Sequence, residues 1–238
     1  MDSIIRLNEK FFEDLKFQEK GHKYTLGDDI LKSVSGLIPE FYEFVDWEEV
    51  AEKYAFKHKT TTSSVLEAWG MLTSVACEDG SAVHYYAEED YKHRAAVREK
   101  EKAVDAFYAS LDRQRYIFLH DELRMFHKEH LFAGTTDKIL HDNYTGTDII
   151  LDWKTNKDLF KNFAGRTLLH PFADLLDCPL DKYKIQVNFY HLMYEQTGRV
   201  VSERWIVWLK ENGVFEIFKS PDYTARLMAW LGNKTFIA

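Results

Sequence analysis

The segment from Glu122 to Thr155 constrains the fold of this chain most strongly, because its alternating pattern and two turn signals predict three consecutive strands. Its sequence is ELRMFHKEHLFAGTTDKILHDNYTGTDIILDWKT. Successive side chains of a strand point to opposite faces of a sheet, so Asp152 and Lys154, separated by one residue, share a face. The third strand therefore ends with a carboxylate and an ammonium side by side.

Asp137 adds a second carboxylate to this predicted hairpin. It follows a kink at Gly134, and it lies near Asp152 if their two strands pair around the turn at 143–146. Two close carboxylates are costly unless a cation neutralises them, and oxygen ligands suit Mg²⁺ or Mn²⁺. A neighbouring lysine can polarise an attacking water or stabilise a reacting phosphate, as phosphodiester hydrolysis requires. The alternative is an exposed hairpin with a surface Asp/Lys pair, since D-x-K also occurs by chance.

Four motifs, taken in chain order, resemble those of one nuclease superfamily. They are GSAVH at 80–84, GTTD at 134–137, DWKT at 152–155 and KIQVNFY at 184–190. Their order and spacing resemble the PD-(D/E)xK nucleases, and most closely the RecB-like exonuclease branch, which includes mitochondrial genome-maintenance and phage recombination exonucleases. The pattern there is G-x-x-x-H, G-x-x-D, D-Y/W-K-T and Q-x-x-x-Y. The match covers about 80–190 and is specific as a set, although no single motif is.

The resemblance implies roles for particular residues of this chain. A histidine and two acids hold the metal in that branch, the lysine assists the attacking water, and the glutamine and tyrosine orient the scissile phosphate. The implied metal ligands are His84, Asp137 and Asp152, the catalytic residues are Asp137, Asp152 and Lys154, and the substrate-binding residues are Gln186 and Tyr190.

The implied cofactor is Mg²⁺ or Mn²⁺, and an imidazole ligand favours Mn²⁺. Several RecB-like relatives carry a four-cysteine iron–sulfur cluster. This chain has two cysteines, Cys77 and Cys178, without metal-ligand spacing, so no iron–sulfur cluster is expected.

Two further acids are second-tier candidates. Glu88 follows His84 by one helical turn, which places both on one helix face. Glu122 is expected at the start of the first strand, where it either orients the attacking water or is a surface acid. A lone helical histidine such as His84 is itself often a surface or satisfied core group, and its position in the motif order favours the ligand role.

The whole pattern predicts one α/β domain over 1–238, with a restriction-endonuclease-like mixed central sheet flanked by helices and an N-terminal helical extension. Residues 1–79 would form a hairpin and the helical extension, and 80–238 the nuclease core. The individual elements expected are a hairpin turning at 27–29, a helix capped by Asp46, a loop over 57–64, a helix over 81–111, a helix over 182–196, a hairpin turning at 211–213, and a last helix capped by Ser220.

Composition limits the compartment and the partners. No apolar stretch approaches about 18 residues and the N-terminus is too charged for a signal peptide, so a cytoplasmic or other intracellular compartment is expected, with no membrane partner and no secretion. The net charge of −8 argues against a broadly basic nucleic-acid surface but allows a locally basic groove. DNA with free ends, single- or double-stranded, is the expected partner, and a single-strand-binding or annealing protein is a further candidate.

Three functions are compatible with these residues. The first is a metal-dependent DNA exonuclease in recombination, repair or phage replication. The second is a structure- or site-specific DNA endonuclease on the same core, which differs in access to the site and not in its residues. The third is a catalytically silent nucleic-acid-binding module, which would have no need of the complete set Asp137, Asp152 and Lys154.

Overall fold

Eight strands form one open, mixed sheet in the computed structural model, which describes residues 2–162 and 165–233. The strands are β1 Leu15–Gln18, β2 Lys23–Leu26, β3 Asp29–Ser33, β4 Tyr116–His127, β5 Phe132–Asp142, β6 Thr147–Lys154, β7 Val201–Leu209 and β8 Phe215–Lys219. The α-helices are α1 Asp2–Phe11, α2 Val34–Leu37, α3 Trp47–His58, α4 Thr62–Glu88, α5 Glu99–Ser110, α6 Pro179–Glu195 and α7 Thr224–Gly232. Two short 3₁₀ helices span Ile38–Phe41 and Asp90–Lys92.

The central strands confirm the predicted three-strand segment. β4 and β5 pair antiparallel, β5 and β6 pair antiparallel, and β6 and β7 pair in parallel. A parallel pair requires a long crossover connection, and α6 lies in the one between β6 and β7. β8 then pairs antiparallel with β7, which confirms the hairpin predicted at 211–213.

The N-terminal strands belong to the same sheet. The hairpin predicted at 27–29 is formed by β2 and β3, and β1 adds a third antiparallel strand. β3 joins the main sheet by a short parallel pairing with β5, through Lys32 with Phe132 and Ser33 with Ala133. The N-terminal region therefore contributes strands to the sheet as well as helices beside it.

Helices cover both faces of the sheet, and the side chains of β6 alternate between the two resulting cores. Ile150 packs in the core that contains residues of α6 and α7. Ile149, Leu151 and Trp153 pack in the opposite core, against α4 and α5. This confirms the predicted alternation and explains why the middle of β6, residues 149–151, is apolar on both faces.

The single helix predicted over 81–111 is wrong in two respects: the first helix begins earlier than predicted, and the chain leaves the helix between residues 89 and 98. α4 begins at Thr62, nineteen residues before the predicted start, because the Thr61 hydroxyl caps it by accepting from the Ser64 N–H. The helix stops at Glu88, and α5 starts only at Glu99. The predicted loop over 57–64 shrinks accordingly to the few residues between α3 and α4.

The predicted cap of the last helix is also wrong. Ser220 does not cap α7, which begins four residues later at Thr224. The Ser220 hydroxyl instead accepts a hydrogen bond from the Asn188 side chain at 2.9 Å, which holds the chain against α6. The helix predicted from Asp46 is confirmed, since its carboxylate accepts from the N–H groups of Glu48 and Glu49.

α4 runs without interruption across the boundary expected between residues 79 and 80. Within residues 2–162 and 165–233, no helix has the length and apolar character required to cross a membrane.

Candidate metal and catalytic site

The pairing of β5 with β4 and β6 brings together the acids of the predicted site. Lys138 pairs with Asp121 on one side and with Leu151 on the other. The preceding residue, Asp137, therefore falls opposite Glu122 on β4 and opposite Asp152 on β6.

Glu122 does not begin the first strand, as the sequence suggested, but lies in the middle of it. β4 starts at Tyr116, and Glu122 has a φ of +48°, in the left-handed region that non-glycine residues seldom adopt. Strain of this kind persists where the surrounding structure enforces it, and it is common at functional sites.

His84 reaches the same place from α4. Its Nδ1 lies 3.2 Å from Asp137 Oδ1. Gly80, one turn earlier, allows the helix to approach the end of β6, because a Cβ at this position would lie 3.1 Å from the Thr155 hydroxyl oxygen. The glycine four residues before His84 is therefore explained by the close packing of α4 against the residue that follows β6.

His84, Glu122 and Asp137 form a cluster of potential metal ligands. One ligand atom from each residue lies within 4.8 Å of the other two. One imidazole and two carboxylates suit a hard or borderline divalent ion, such as Mg²⁺ or Mn²⁺. The structure therefore brings together two of the three predicted ligands, His84 and Asp137, and adds Glu122, the second-tier acid.

Asp152 lies beside this cluster and is not one of its three members. Its carboxylate is buried and forms an ion pair with the Lys154 ammonium. The ammonium lies against Asp152 Oδ2, so this buried oxygen is neutralised by Lys154 in the structure. Its role as a metal ligand stays a prediction.

The pKa values indicate how strongly the charges of the site interact. Burial alone would lower the pKa of His84, but the negative charge of Asp137 and the contact with it raise that pKa to about 9. Burial, reinforced by the charge of Asp137, raises the pKa of Glu122 to about 8. Without a metal, therefore, protons on His84 and Glu122 neutralise the cluster near pH 7.

The pKa values of Asp152 and Asp137 are shifted in opposite directions. Burial raises the pKa of Asp152 to about 6, although the ammonium of Lys154 opposes the rise. Burial alone would raise the pKa of Asp137, but the charge of His84, the contact with it and the charge of Lys154 together lower that pKa. Asp137 also accepts a hydrogen bond of 2.6 Å from the Trp153 N–H. Asp137 is thus the acid of the site that most readily remains ionised.

Gln186 and Tyr190, the predicted phosphate-orienting residues, contact each other on α6. The Gln186 side-chain amide donates to the Tyr190 hydroxyl at 2.6 Å. The Tyr190 ring is buried against Gly134, where a Cβ would lie 2.8 Å from the ring atom Cε1. The glycine of the G-x-x-D motif therefore makes room for the tyrosine of the Q-x-x-x-Y motif.

A cleft of about 1210 Å³ opens over the ligand cluster. His84, Glu122 and Asp137 line it, and so does Glu88, the other second-tier acid. Glu88 lies outside the three-residue cluster, and burial raises its pKa. Two cations, Lys100 and Lys157, also line this cleft.

Sequence reasoning did not assign a function to Tyr183, although the structure places it at the site. Its ring centroid lies 4.1 Å from Lys154 Nζ. The available signal was its position one helical turn before Gln186, on the same stripe of α6.

Comparisons with known proteins add no family assignment to this geometry. No protein-family model matches the chain, and no curated protein matches it. The chemistry of the site is therefore inferred from its residues and their arrangement.

Proposed function

We propose that this chain is a Mg²⁺- or Mn²⁺-dependent DNA exonuclease that hydrolyses phosphodiester bonds in recombination, repair or phage replication. The observation that carries the proposal is the cluster of His84, Glu122 and Asp137, with ligand atoms within 4.8 Å of one another, beside the buried pair Asp152 and Lys154. The order of the four sequence motifs, which resemble those of RecB-like exonucleases, supports the nuclease reaction.

The residues of the cluster fit a divalent cation. His84, Glu122 and Asp137 would hold it, and the nearby carboxylate of Asp152, which pairs with Lys154, is a further candidate donor. The raised pKa values of His84 and Glu122 mean that both ligands carry protons near pH 7, and a bound cation would replace these protons. A bound Mg²⁺ or Mn²⁺ would supply Lewis-acid polarisation of the phosphate and neutralise the acids.

Lys154 is the residue of this chain best suited to act on the reacting phosphate. Its ammonium has three N–H donors, and Asp152 accepts from this group on one side only. In the proposed reaction, water attacks the phosphorus and releases a proton to the solvent, the bond to the leaving oxygen breaks, and that oxygen takes up a proton from the solvent. Lys154 hydrogen-bonds the attacking water and stabilises the extra negative charge of the phosphate during attack.

Gln186 and Tyr190 would orient the substrate. The Gln186 amide has one N–H donor beyond the one it gives to Tyr190, and the Tyr190 hydroxyl has a proton to donate. Both can therefore hydrogen-bond a phosphate oxygen. Lys157, which lines the cleft, would attract the rest of the DNA backbone, whereas Lys100 is paired with Asp79.

The test uses end-labelled DNA in linear and covalently closed circular forms, each single- and double-stranded, with Mn²⁺. The wild-type chain should degrade linear strands from their ends, leave closed circles intact and lose all activity in excess chelator. Asp137→Asn is the matched inactive control, because it keeps the size of the side chain.

Three other outcomes would contradict the proposed exonuclease. Cleavage of closed circles as fast as linear strands would establish the endonuclease. DNA binding without hydrolysis under any metal would establish the silent binding module, and hydrolysis that persists in excess chelator would exclude the metal mechanism.

A further inference from the structure

Lys154 is held from two sides. On one side its ammonium pairs with Asp152, and on the other it lies over the ring of Tyr183, with 4.1 Å between Nζ and the ring centroid. An ammonium over the face of an aromatic ring is attracted by the negative π surface, and the attraction is larger when the pair is shielded from water. Lys154 is 12% exposed, so little water competes with the ring.

The Tyr183 ring is itself fixed by contacts at its far end. Its hydroxyl donates to the Asn156 side-chain oxygen at 2.8 Å. The Asn156 backbone carbonyl accepts from the Trp208 indole N–H at 2.7 Å. Trp208 is the partner of Lys154 in the β6–β7 pairing. The hydrogen bonds from Tyr183 to Asn156 and from Trp208 to Asn156 therefore fix the Tyr183 ring to the strand beside Lys154.

We infer that Tyr183 is a positioning residue that holds the Lys154 ammonium at the catalytic face through its aromatic ring. A lysine side chain has several rotatable bonds and a large rotamer entropy, so one ion pair leaves its ammonium free to pivot around the carboxylate. The ring restricts this movement, because the ammonium then lies fixed between Asp152 and Tyr183. The consequence for the reaction rate rests on the proposed nuclease function, whereas the contact itself does not.

The first experiment needs no catalysis. Lysines carrying ¹³C at the ε-carbon are observed by NMR in the metal-free protein, and the Lys154 signal is assigned from its loss in Lys154→Arg. The ring current of Tyr183 should move the Lys154 ε-methylene protons upfield of those of exposed lysines. Tyr183→Phe should keep this shift, and Tyr183→Leu should remove it.

The second experiment measures single-turnover rate and substrate affinity. With saturating Mn²⁺ and DNA, Tyr183→Leu should lower the rate about tenfold, the scale of one partly shielded cation–π contact, with little change in the concentration of DNA required for half-saturation. Tyr183→Phe should stay within about twofold of the wild-type rate, because it keeps the ring.

Tyr42→Leu is the matched control. It removes another tyrosine ring that lies under a lysine, with 3.7 Å between the ring centroid and Lys182 Nζ, and it leaves Lys154 untouched. Neither the Lys154 signal nor the rate should change in this variant.

Several results would overturn the inference. A wild-type Lys154 signal that coincides with those of exposed lysines would do so even if Tyr183→Leu failed to fold. Equal rate losses in Tyr183→Phe and Tyr183→Leu would show that the hydroxyl bond to Asn156 matters and the ring does not. If the wild-type chain hydrolyses no DNA, the proposed function fails, and the NMR shift still decides whether Tyr183 holds Lys154.

Discussion

At the scale of one residue, Glu122 combines an unusual backbone conformation with a carboxylate in the ligand cluster. A non-glycine residue in the left-handed region costs on the order of 1–3 kcal/mol. Glu122 adopts it inside a strand, with a φ of +48°, where its carboxylate joins His84 and Asp137. The strain and the position in the cluster together support the proposed role of Glu122 as a metal ligand.

Glu122→Gln tests this role with little change in size. The amide loses the anionic oxygen, so Mn²⁺ affinity measured by calorimetry should fall by roughly tenfold or more. Stability without metal should hardly change at pH 6, because a pKa of about 8 already keeps the wild-type carboxyl neutral there.

Glu88→Gln is the control for Glu122→Gln, since Glu88 lines the same cleft but lies outside the three-residue cluster. It should bind Mn²⁺ almost as well as the wild type. Equal losses in the two variants would show that general negative charge, and not a specific ligand, determines the affinity.

Gly134→Ala tests the close approach between two motifs. Its Cβ would lie 2.8 Å from the Tyr190 ring and 3.0 Å from Val34 Cγ2, so both side chains must shift. Overpacking of this kind should lower the free energy of unfolding by about 1–3 kcal/mol, measured by urea denaturation.

Gly70→Ala should have the opposite effect. Gly70 lies inside α4 with no atom within 4 Å of the added Cβ. Alanine is the better helix former, so this variant should gain about 0.5–1 kcal/mol. A Gly134→Ala variant as stable as the wild type would show that Tyr190 has more freedom than its packing indicates.

At the scale of elements, the interruption between α4 and α5 depends on Glu101. Its buried carboxylate accepts from the Arg94 guanidinium at 2.8 and 3.0 Å and from the N–H groups of Val97 and Arg98. The Arg94 hydrogen bonds lower the pKa of Glu101 to about 2, although burial opposes this. One carboxylate thus caps α5 and fixes the turn before it.

Glu101→Gln should lower the free energy of unfolding at pH 7 by about 1–3 kcal/mol, because the amide cannot accept all of these bonds and Arg94 loses its buried partner. A lowered pKa stabilises the fold above the unfolded-state value of about 4.3 and loses this effect as the pH falls towards 2. The wild type should therefore lose stability across that window, and the variant should lose less.

Thermal denaturation between pH 2 and pH 7 makes this comparison, with Glu99→Gln as the control. Glu99 is exposed and pairs with Lys102 within one helical turn. Its replacement should change stability by no more than a few tenths of a kcal/mol. Equal effects of the two substitutions would contradict the capping role of Glu101.

The same elements show what the sequence can and cannot predict. Strand alternation and turn residues were sufficient for β5, β6 and the placement of Asp137 beside Asp152, because both signals are local. The break after Glu88 was not predicted, because the segment between α4 and α5 contains no proline or glycine and Arg94 and Glu101 end the helix through side-chain contacts. The position of Glu122 in the middle of β4 was not predicted for a similar reason, since its neighbouring residues do not predict a left-handed backbone within a strand.

At the scale of the whole molecule, the proposed metal binding is coupled to the release of protons. His84 and Glu122, with pKa values of about 9 and about 8, must release protons before they can bind a cation. Mn²⁺ affinity should therefore rise as the pH increases from about 6 to about 9, because both ligands lose their protons towards the upper end of this range.

Stability without metal should change in the opposite direction over the same range. The raised pKa of His84 stabilises the fold fully below the unfolded value of about 6.5, and this stabilisation is lost as the pH rises through about 9. Glu122 acts in the same direction, because a carboxyl with a raised pKa also destabilises the fold once it ionises. Melting temperatures in chelator should fall from pH 6 to pH 9, and saturating Mn²⁺ should suppress much of the fall; a rise in chelator would contradict the assigned charges.

Lys154→Ala, measured for metal affinity and single-turnover DNA hydrolysis on the same sample, tests the central claim most directly. Lys154 faces the reacting phosphate in the proposed mechanism and is not a metal ligand, so Mn²⁺ affinity should stay within a few-fold of wild type while the rate at saturating metal falls by about a hundredfold or more. Asp152→Ala should instead lose metal affinity and rate together. A folded Lys154→Ala variant that retains more than about a third of the wild-type rate would contradict the proposed chemistry at its centre.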